Sequence, residues 1–289
     1  ASMLDGDDWL ISPPFLLDTE HVYELSFKAA SADGYTDIIS AWLGTRPQSG
    51  SMTQNLLPAT EVNTAAAATL KAMFRPEADG RACIGLHATS TYEAGYFLTI
   101  DDLQLRELAS VHAPAAATNV QATAAAAGAL GATITCTLPL TDICGAPLDA
   151  LTQVIVKRGT QTIATLTDVK PGQTITVTDT PTSNGNFTYT LIVSNAYGAG
   201  LEAKTTVYVG EDTPGNVENI KVSCDASGNI SLSWDAPSVG THGGYVNAAT
   251  LSYTVTDMQG QKTETTDRTF STTIPPTAGK QTLAWFGLQ

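Results

Sequence analysis

Basic side chains are scarce in this 289-residue chain. Lysine and arginine together number 14 against 28 aspartates and glutamates, which gives a formal net charge of −14. A field of that sign repels phosphate backbones and anionic headgroups, and no cluster of lysine or arginine reverses it locally. We therefore expect no nucleic-acid partner. Because no apolar run approaches the roughly 20 residues that span a bilayer, we expect no membrane insertion either.

Motifs for metal binding and nucleophilic catalysis are also missing. The cysteines Cys83, Cys136, Cys144 and Cys224 have no C-x-x-C spacing, and the four histidines form no His-x-x-x-His pair. Neither a G-x-S-x-G elbow nor a phosphate-binding loop is present, so we predict that the chain is not an enzyme. Two interpretations of the cysteines stay open: Cys136 and Cys144 form a bridge, or Cys83 and Cys136 are small core residues.

The residues that are present favour β-structure. Hydrophobic residues make up 43% and charged residues only 15% of the chain, a bias that suits β-sandwiches better than helices with charged outer faces. A linker with proline and alanine near residue 112, and the Gly-Glu-Asp-Thr-Pro-Gly sequence at 210–215, mark two composition shifts. We predict an all-β fold of three domains at 1–109, 110–210 and 211–289.

Alternating and apolar runs separated by turn residues predict the individual strands. The alanine-rich stretch at 65–68 is interpreted as the approach to a strand rather than as a helix. In the first domain the predicted strands are 22–29, 37–43, 82–88 and 96–105. In the second domain they are 119–123, 133–138, 153–157, 162–166, 174–178, 187–193 and 203–209.

The third segment repeats the second. Trp234 stands where Cys136 stands, each three residues before a proline, and Phe286 and Leu288 match Tyr189 and Leu191. With this alignment the last strand of the third domain is missing, which predicts an unpaired sheet edge that a partner strand could join.

Two sequences carry a resemblance to fibronectin type III domains. They are Leu-Ser-Trp-Asp-Ala-Pro at 232–237 and the run from Tyr189 to Gly198, in which a strand leads into an Asn-x-x-Gly turn. The resemblance implies two immunoglobulin-like β-sandwiches in tandem. Cys136 departs from the family pattern, which has a core tryptophan there. The insertion at 142–148 resembles a variant from large surface proteins of Bacteroidetes-type bacteria.

The first segment is similar to the jelly-roll module called cleaved adhesin or choice-of-anchor J, itself similar to MAM domains. The matching blocks are Asp-Trp-Leu-Ile-Ser-Pro at 8–13, Tyr-Glu-Leu-Ser-Phe at 23–27, Gly-Leu-His at 85–87 with Ser90, and 98–103. Such modules have one or two strands before the first block, and these are absent here. The resemblance implies a secreted or surface-displayed, adhesin-like protein.

Acidic residues suggest a structural calcium site in the first domain. The resemblance implies that the pair Asp101 and Asp102, on the last strand, contributes ligands, and Asp8 could add another from the N-terminal loop with Asp5 and Asp7. Carboxylate oxygens are the ligands that calcium prefers. The alternative is that one aspartate accepts hydrogen bonds inside the sandwich while the other faces solvent.

Aromatic residues supply the candidate ligand site. Trp42, Tyr92 and Tyr96 lie on or beside strands of the first domain, and exposed rings can stack on sugars or anchor a protein interface. Trp42 has the alternative role of filling the core, whereas the loop position of Tyr92 and Tyr96 favours ligand contact. We place Trp9 and Trp234 in the cores.

These patterns together predict a non-catalytic extracellular binding or display protein. The first domain would contact a glycan or protein ligand, and the fibronectin-like domains would act as spacers. Two alternatives remain: accessory modules of a larger secreted protease or glycosidase, or a structural subunit completed by strand exchange.

Overall fold

The computed structural model describes residues 5–275 and 286–288. Within these ranges the chain has 22 β-strands, two three-residue 3-10 turns and no α-helix, so the predicted all-β sandwich fold is confirmed. No helical segment in these ranges has the length and apolar character needed to cross a membrane.

The first sandwich packs two antiparallel sheets. One has the order β1-β7-β4-β5 with β2 also on β7, and the other has the order β6-β3-β8. Leu25 and Phe27 of β3 share a buried core with Ile39 and Leu86 of the facing sheet. The strands are β1 (Asp8–Ile11), β2 (Phe15–Leu17), β3 (His21–Ala30), β4 (Asp37–Gly44), β5 (Met52–Val62), β6 (Ala68–Phe74), β7 (Gly80–Ala88) and β8 (Thr99–Ser110).

The second sandwich pairs a β13-β10-β9 sheet with a β12-β11-β14 sheet, which β15 and β16 extend from β14. Val154, Val156 and Tyr189 lie at the centre of its core. The strands are β9 (Thr118–Ala124), β10 (Ala132–Thr137), β11 (Gln153–Arg158), β12 (Gln161–Leu166), β13 (Thr174–Asp179), β14 (Gly185–Asn195), β15 (Gly198–Ala199) and β16 (Ala203–Val209).

The third sandwich has a β17-β18-β21 sheet facing a β20-β19-β22 sheet. Trp234 is buried against Tyr253 with the rings nearly edge to face, 5.4 Å between centroids. The strands are β17 (Glu218–Cys224), β18 (Asn229–Asp235), β19 (Tyr253–Thr256), β20 (Lys262–Thr265), β21 (Thr269–Thr273) and β22 (Gly287–Leu288).

Strand pairing supports the predicted repeat. Val156 of β11 pairs with Leu191 of β14, and Val255 of β19 pairs with Leu288 of β22 in the same antiparallel manner. The match of Leu288 with Leu191 therefore agrees with the register.

Three expectations need correction. β8 begins at Thr99 rather than at residue 96, because the preceding residues form a loop. Trp9 is not a core residue: it is half-buried outside the first core, stacked on His87 with 4.1 Å between ring centroids. All four cysteines are free, with Cys136 buried and Cys144 exposed, so the bridge is not formed and the core interpretation of Cys83 and Cys136 holds.

A loop in each of the last two sandwiches clamps the linker that precedes it. The first clamp loop, residues 140–148, and the second, residues 238–246, make the same backbone contacts. Ile143 donates to the Ala113 carbonyl at 3.0 Å, and Thr241 donates to the Thr213 carbonyl at 2.9 Å. Each linker also forms an isolated antiparallel β-bridge with its loop, Pro114 with Asp142 and Pro214 with Gly240.

Each junction also joins a histidine to a buried aspartate, with the two partners exchanged. At the first, His112 of the linker lies 3.6 Å from the Asp142 carboxylate of the loop. At the second, Asp212 of the linker is 2.8 Å from Nδ1 of His242 in the loop. The two junctions thus share a backbone arrangement, but the histidine is in the linker at the first junction and in the loop at the second.

Candidate functional site: an aromatic cleft in the first sandwich

A cleft of about 720 Å³ opens where three loops of the first sandwich meet. Its walls come from the start of β1, the β3–β4 turn and the loop of residues 89–97 between β7 and β8. The side chains that matter chemically are Asp8, Tyr35, Ser90, Tyr92, Glu93 and Tyr96.

Three tyrosines give the cleft its aromatic surface. Tyr35 and Tyr96 stack at 4.9 Å between ring centroids with 26° between planes, although they come from different loops. Tyr96 is nevertheless 73% exposed, and Tyr92 is 50% exposed. Rings held by each other but open to solvent present apolar faces to a ligand at little entropic cost.

Buried polar groups hold the cleft floor in place. Asp37 is buried at the start of β4 and accepts a 2.7 Å hydrogen bond from the Ser31 hydroxyl. Ser90 accepts a 2.9 Å hydrogen bond from the Ile38 amide. At Gly95 a Cβ would overlap Ser90 and lie 2.7 Å from Asp37, so only glycine allows this close approach.

Backbone hydrogen bonds tie the loops to one another. The Gly6 amide donates to the Ser90 carbonyl at 2.8 Å, and the Thr36 amide donates to the Ala94 carbonyl at 2.8 Å. The Asp5 carboxylate accepts a 2.9 Å hydrogen bond from the Tyr92 amide. Because all three loops are cross-linked, the cleft is formed before any ligand arrives.

The charge in the cleft is negative. Asp8 and Glu93 place exposed carboxylates among its lining residues, and no lysine or arginine stands with them. Carboxylates only accept hydrogen bonds, so the cleft suits a ligand rich in donors such as hydroxyls and disfavours an anionic one.

The structure brings three of the predicted site residues together. Tyr92 and Tyr96, predicted as ligand contacts, and Asp8, predicted as a calcium ligand, all line the cleft. Tyr35 and Glu93 were missed from the sequence. The one available signal was the Ala-Asp-Gly-Tyr sequence at 32–35, a turn in which Gly34 has φ of +83° and places Tyr35 at the rim.

Trp42 lies elsewhere, half-buried beside β1 and β7. Its ring centroid is 6.4 Å from that of Trp9, and its N–H donates to the Ser40 hydroxyl at 2.9 Å. Trp9 in turn stacks on His87, whose Nε2 is 2.7 Å from the Asp7 carboxylate. Trp42, Trp9 and His87 therefore pack on one another. Trp42 belongs neither to the first core cluster nor to the lining of the cleft.

The predicted calcium ligands are not assembled. Asp8 lies on β1 and the pair Asp101 and Asp102 lies on β8, in the other sheet. Asp102 has φ of +52° at a bulge and pairs with Lys28 Nζ at 2.7 Å; its carboxylate raises the pKa of Lys28. Among the described residues no three acidic, histidine or cysteine side chains form a metal-binding group, and calcium stays a prediction.

Comparisons with known proteins give distant structural likenesses. No family model matches the chain, and no curated protein matches it. A β-glucuronidase from Ruminococcus gnavus in complex with N1-substituted uronic isofagomine is similar at 10% identity and a TM-score of 0.39, over 81% of this chain and 40% of that one. A GH2 β-galacturonidase from Eisenbergiella tayi bound to galacturonate is similar at 13% identity and a TM-score of 0.33, over 78% and 38%. The chain thus spans about two fifths of these proteins, and likeness at this level carries no argument about activity.

Proposed function

We propose that this chain is a non-catalytic carbohydrate-binding protein that acts outside the cell, with the aromatic cleft as its binding site. The observation that carries the proposal is the exposed stack of Tyr35 and Tyr96 beside the carboxylates of Asp8 and Glu93. The fibronectin-like sandwiches would hold this cleft away from the surface that displays it.

The chemistry of the cleft matches that of a sugar ring. A pyranose has an apolar face of C–H groups that packs on an aromatic ring and an edge of hydroxyl groups that donates hydrogen bonds. The tyrosine rings would take the first role, and the carboxylates of Asp8 and Glu93 the second. A protein ligand could use the same rings, so it is the competing outcome in the test below.

The charge sets the expected selectivity. Because the lining carboxylates repel an anionic group, we expect neutral hexoses to bind and uronic acids or sulfated sugars to be rejected. The overall charge of −14 acts in the same direction at longer range.

The test is a screen of the purified chain against neutral and acidic glycans and extracellular-matrix proteins, followed by titration of the best glycan. We expect Tyr96→Ala to weaken binding by roughly tenfold to a hundredfold, since a stacked ring contributes about 1–3 kcal/mol at a binding site. The matched control is Tyr197→Ala, which removes an exposed tyrosine of the second sandwich and should leave binding unchanged.

Four results would separate the alternatives. If Tyr96→Ala and Tyr197→Ala bind the glycan equally well, the cleft is not the binding site. A preference of the parent protein for uronic acids, unchanged in Asp8→Asn/Glu93→Gln, would contradict the electrostatic argument. Loss of binding in a chelator, restored by calcium, would support the predicted calcium, whereas a hit on a matrix protein alone would replace the glycan proposal.

A further inference from the structure

The two carboxylates that line the aromatic cleft are exposed, and the backbone around each of them is paired. Asp8 lies on β1, where it pairs with Ala88 of β7. Glu93 lies in a turn that the Gly95 amide closes by donating to the Thr91 carbonyl at 2.9 Å. The backbone of both residues is therefore positioned before a ligand arrives.

The neighbouring acidic side chains already have partners. The Asp5 carboxylate accepts a hydrogen bond from the Tyr92 amide, and the Asp7 carboxylate lies 2.7 Å from Nε2 of His87. Asp8 and Glu93, which line the cleft, make no hydrogen bond or ion pair with any other described residue. A carboxylate of this kind holds water in the free protein and can exchange that water for a donor on the ligand.

Basic side chains of the first sandwich form their ion pairs on the other sheet. Lys28 of β3 pairs with Asp102, and Lys71 of β6 and Arg106 of β8 both pair with Glu24. None of these cations lines the cleft. A cation that enters the cleft would therefore meet two carboxylates and no lysine or arginine among the lining residues.

We propose that the cleft selects sugars that carry a free amino group, such as glucosamine, over neutral sugars of the same shape. This inference rests on the proposed carbohydrate-binding function and names the class of sugar. The ammonium has three N–H donors and a positive charge, so it can hydrogen-bond to the carboxylates of Asp8 and Glu93 more strongly than a hydroxyl does. The C–H face of the ring would pack on Tyr96, whose π-face also attracts a cation.

The test compares three β-1,4-linked disaccharides, built from glucose, N-acetylglucosamine and glucosamine. Each is titrated into the intact protein in mildly acidic buffer, where the sugar amine is protonated, and binding is followed by NMR of the tyrosine rings. We expect the glucosamine disaccharide to bind roughly threefold to thirtyfold more tightly than the glucose disaccharide, since exposed charge pairs each contribute little. The N-acetylated form, which has no charge, should show no such gain, and added salt should reduce the difference.

Two double variants locate the origin of the preference. Asp8→Asn/Glu93→Gln should bring the affinity for the glucosamine disaccharide down to that for the glucose disaccharide. Glu264→Gln/Asp267→Asn is the matched control, because it removes two exposed carboxylates from the third sandwich and should keep the preference. A preference that survives Asp8→Asn/Glu93→Gln would overturn the inference, since the net charge of the protein would then be the cause.

The remaining outcomes separate this inference from the carbohydrate proposal. Equal affinity for the three disaccharides, weakened in Tyr96→Ala, would overturn the amino-sugar inference and leave the carbohydrate site standing. The same holds if none of the three binds while the broader screen finds another glycan. If the screen finds no glycan either, both proposals are wrong. If acetyl-lysine amide binds as tightly as the glucosamine disaccharide, the cleft recognises an ammonium without the sugar, and the inference is overturned.

Discussion

Tyr189 shows how one residue organises a sandwich. Its ring is fully buried at the centre of the second core, and its hydroxyl donates to the Asp179 carboxylate at 2.9 Å. The same carboxylate accepts a 2.7 Å hydrogen bond from Arg158, whose guanidinium lies 5.6 Å from the centre of the Phe187 ring. Burial and the contact with Asp179 raise the pKa of Tyr189. The tyrosine thus fastens β14 to β13 across the two sheets.

Tyr189→Phe should lower the free energy of unfolding by about 1.5–2 kcal/mol, the low end of the roughly 1.5–3 kcal/mol that a hydrogen bond to a charged acceptor contributes. The loss is limited because Asp179 keeps Arg158. Urea unfolding followed by fluorescence measures it, with Tyr197→Phe on the exposed turn as the control. An unchanged midpoint in Tyr189→Phe would show that the hydroxyl contributes nothing.

Because the pKa of Tyr189 is raised, the parent and Tyr189→Phe should also differ in how their stability depends on alkaline pH. A tyrosine that ionises more readily when unfolded stabilises the fold below its ordinary pKa of 10.0 and loses that stabilisation as pH rises further. Above about pH 10 the parent should therefore lose more stability than Tyr189→Phe does.

At the scale of elements, the clamp loops determine how neighbouring sandwiches are joined. Asp212 accepts hydrogen bonds from the His242 amide at 2.8 Å, the Gly244 amide at 3.0 Å and the Thr213 amide at 2.8 Å. Burial alone would raise the pKa of Asp212, but these bonds and the His242 ring outweigh it and lower the pKa to about 2. Gly240 leaves room for the carboxylate, because a Cβ there would overlap it.

Asp212→Ala should destabilise the third sandwich by about 3 kcal/mol, since it removes the acceptor of the buried Gly244 amide and of two half-buried amides at once. Because the folded pKa is depressed, the stabilisation is present above the ordinary pKa of 3.8 and lost as pH falls towards 2. Thermal unfolding between pH 2 and pH 7 tests both statements. Asp267→Ala on the exposed surface is the control, and an acid transition in Asp212→Ala as large as in the parent would contradict the assignment.

The sequence predicts the strands well and the tertiary contacts poorly, for a physical reason. All seven strands predicted for the second segment are present, because alternation over five to seven residues reports the buried face directly. Trp9 was misplaced because alternation distinguishes two faces without saying which one is the core. Tyr35 and the clamp contacts were missed because they join loops that are distant in sequence, and local pattern carries no signal for such pairs.

At the scale of the molecule, two clamped junctions join the three sandwiches. The first junction adds a small core in which Val111 and Ala113 are buried beside Ile143 and Leu201. The second adds the stack of Tyr208 on His242, 5.3 Å apart and nearly parallel. We therefore expect the angle between neighbouring sandwiches to be fixed.

Two native cysteines allow this expectation to be measured without new ones. Cys144 and Cys224 are exposed on either side of the second junction, whereas Cys83 and Cys136 are buried, and burial raises the pKa of Cys136 to about 11. Spin labels on the exposed pair should give a single narrow distance in the parent protein. The distribution should broaden in Asp212→Ala and stay narrow in Asp267→Ala; a broad distribution in the parent would refute a fixed junction.

The two clamp loops bear on how such a chain could grow. Each loop belongs to the sandwich that follows the linker it grips, so a duplicated gene segment would bring its own joint along with its fold. The exchange of aspartate and histidine between His112–Asp142 and Asp212–His242 indicates that side chains at the joint can be replaced while the backbone grip persists. Lengthening the protein would then require only copying, because every added unit would bring the loop that makes these backbone contacts with the linker before it.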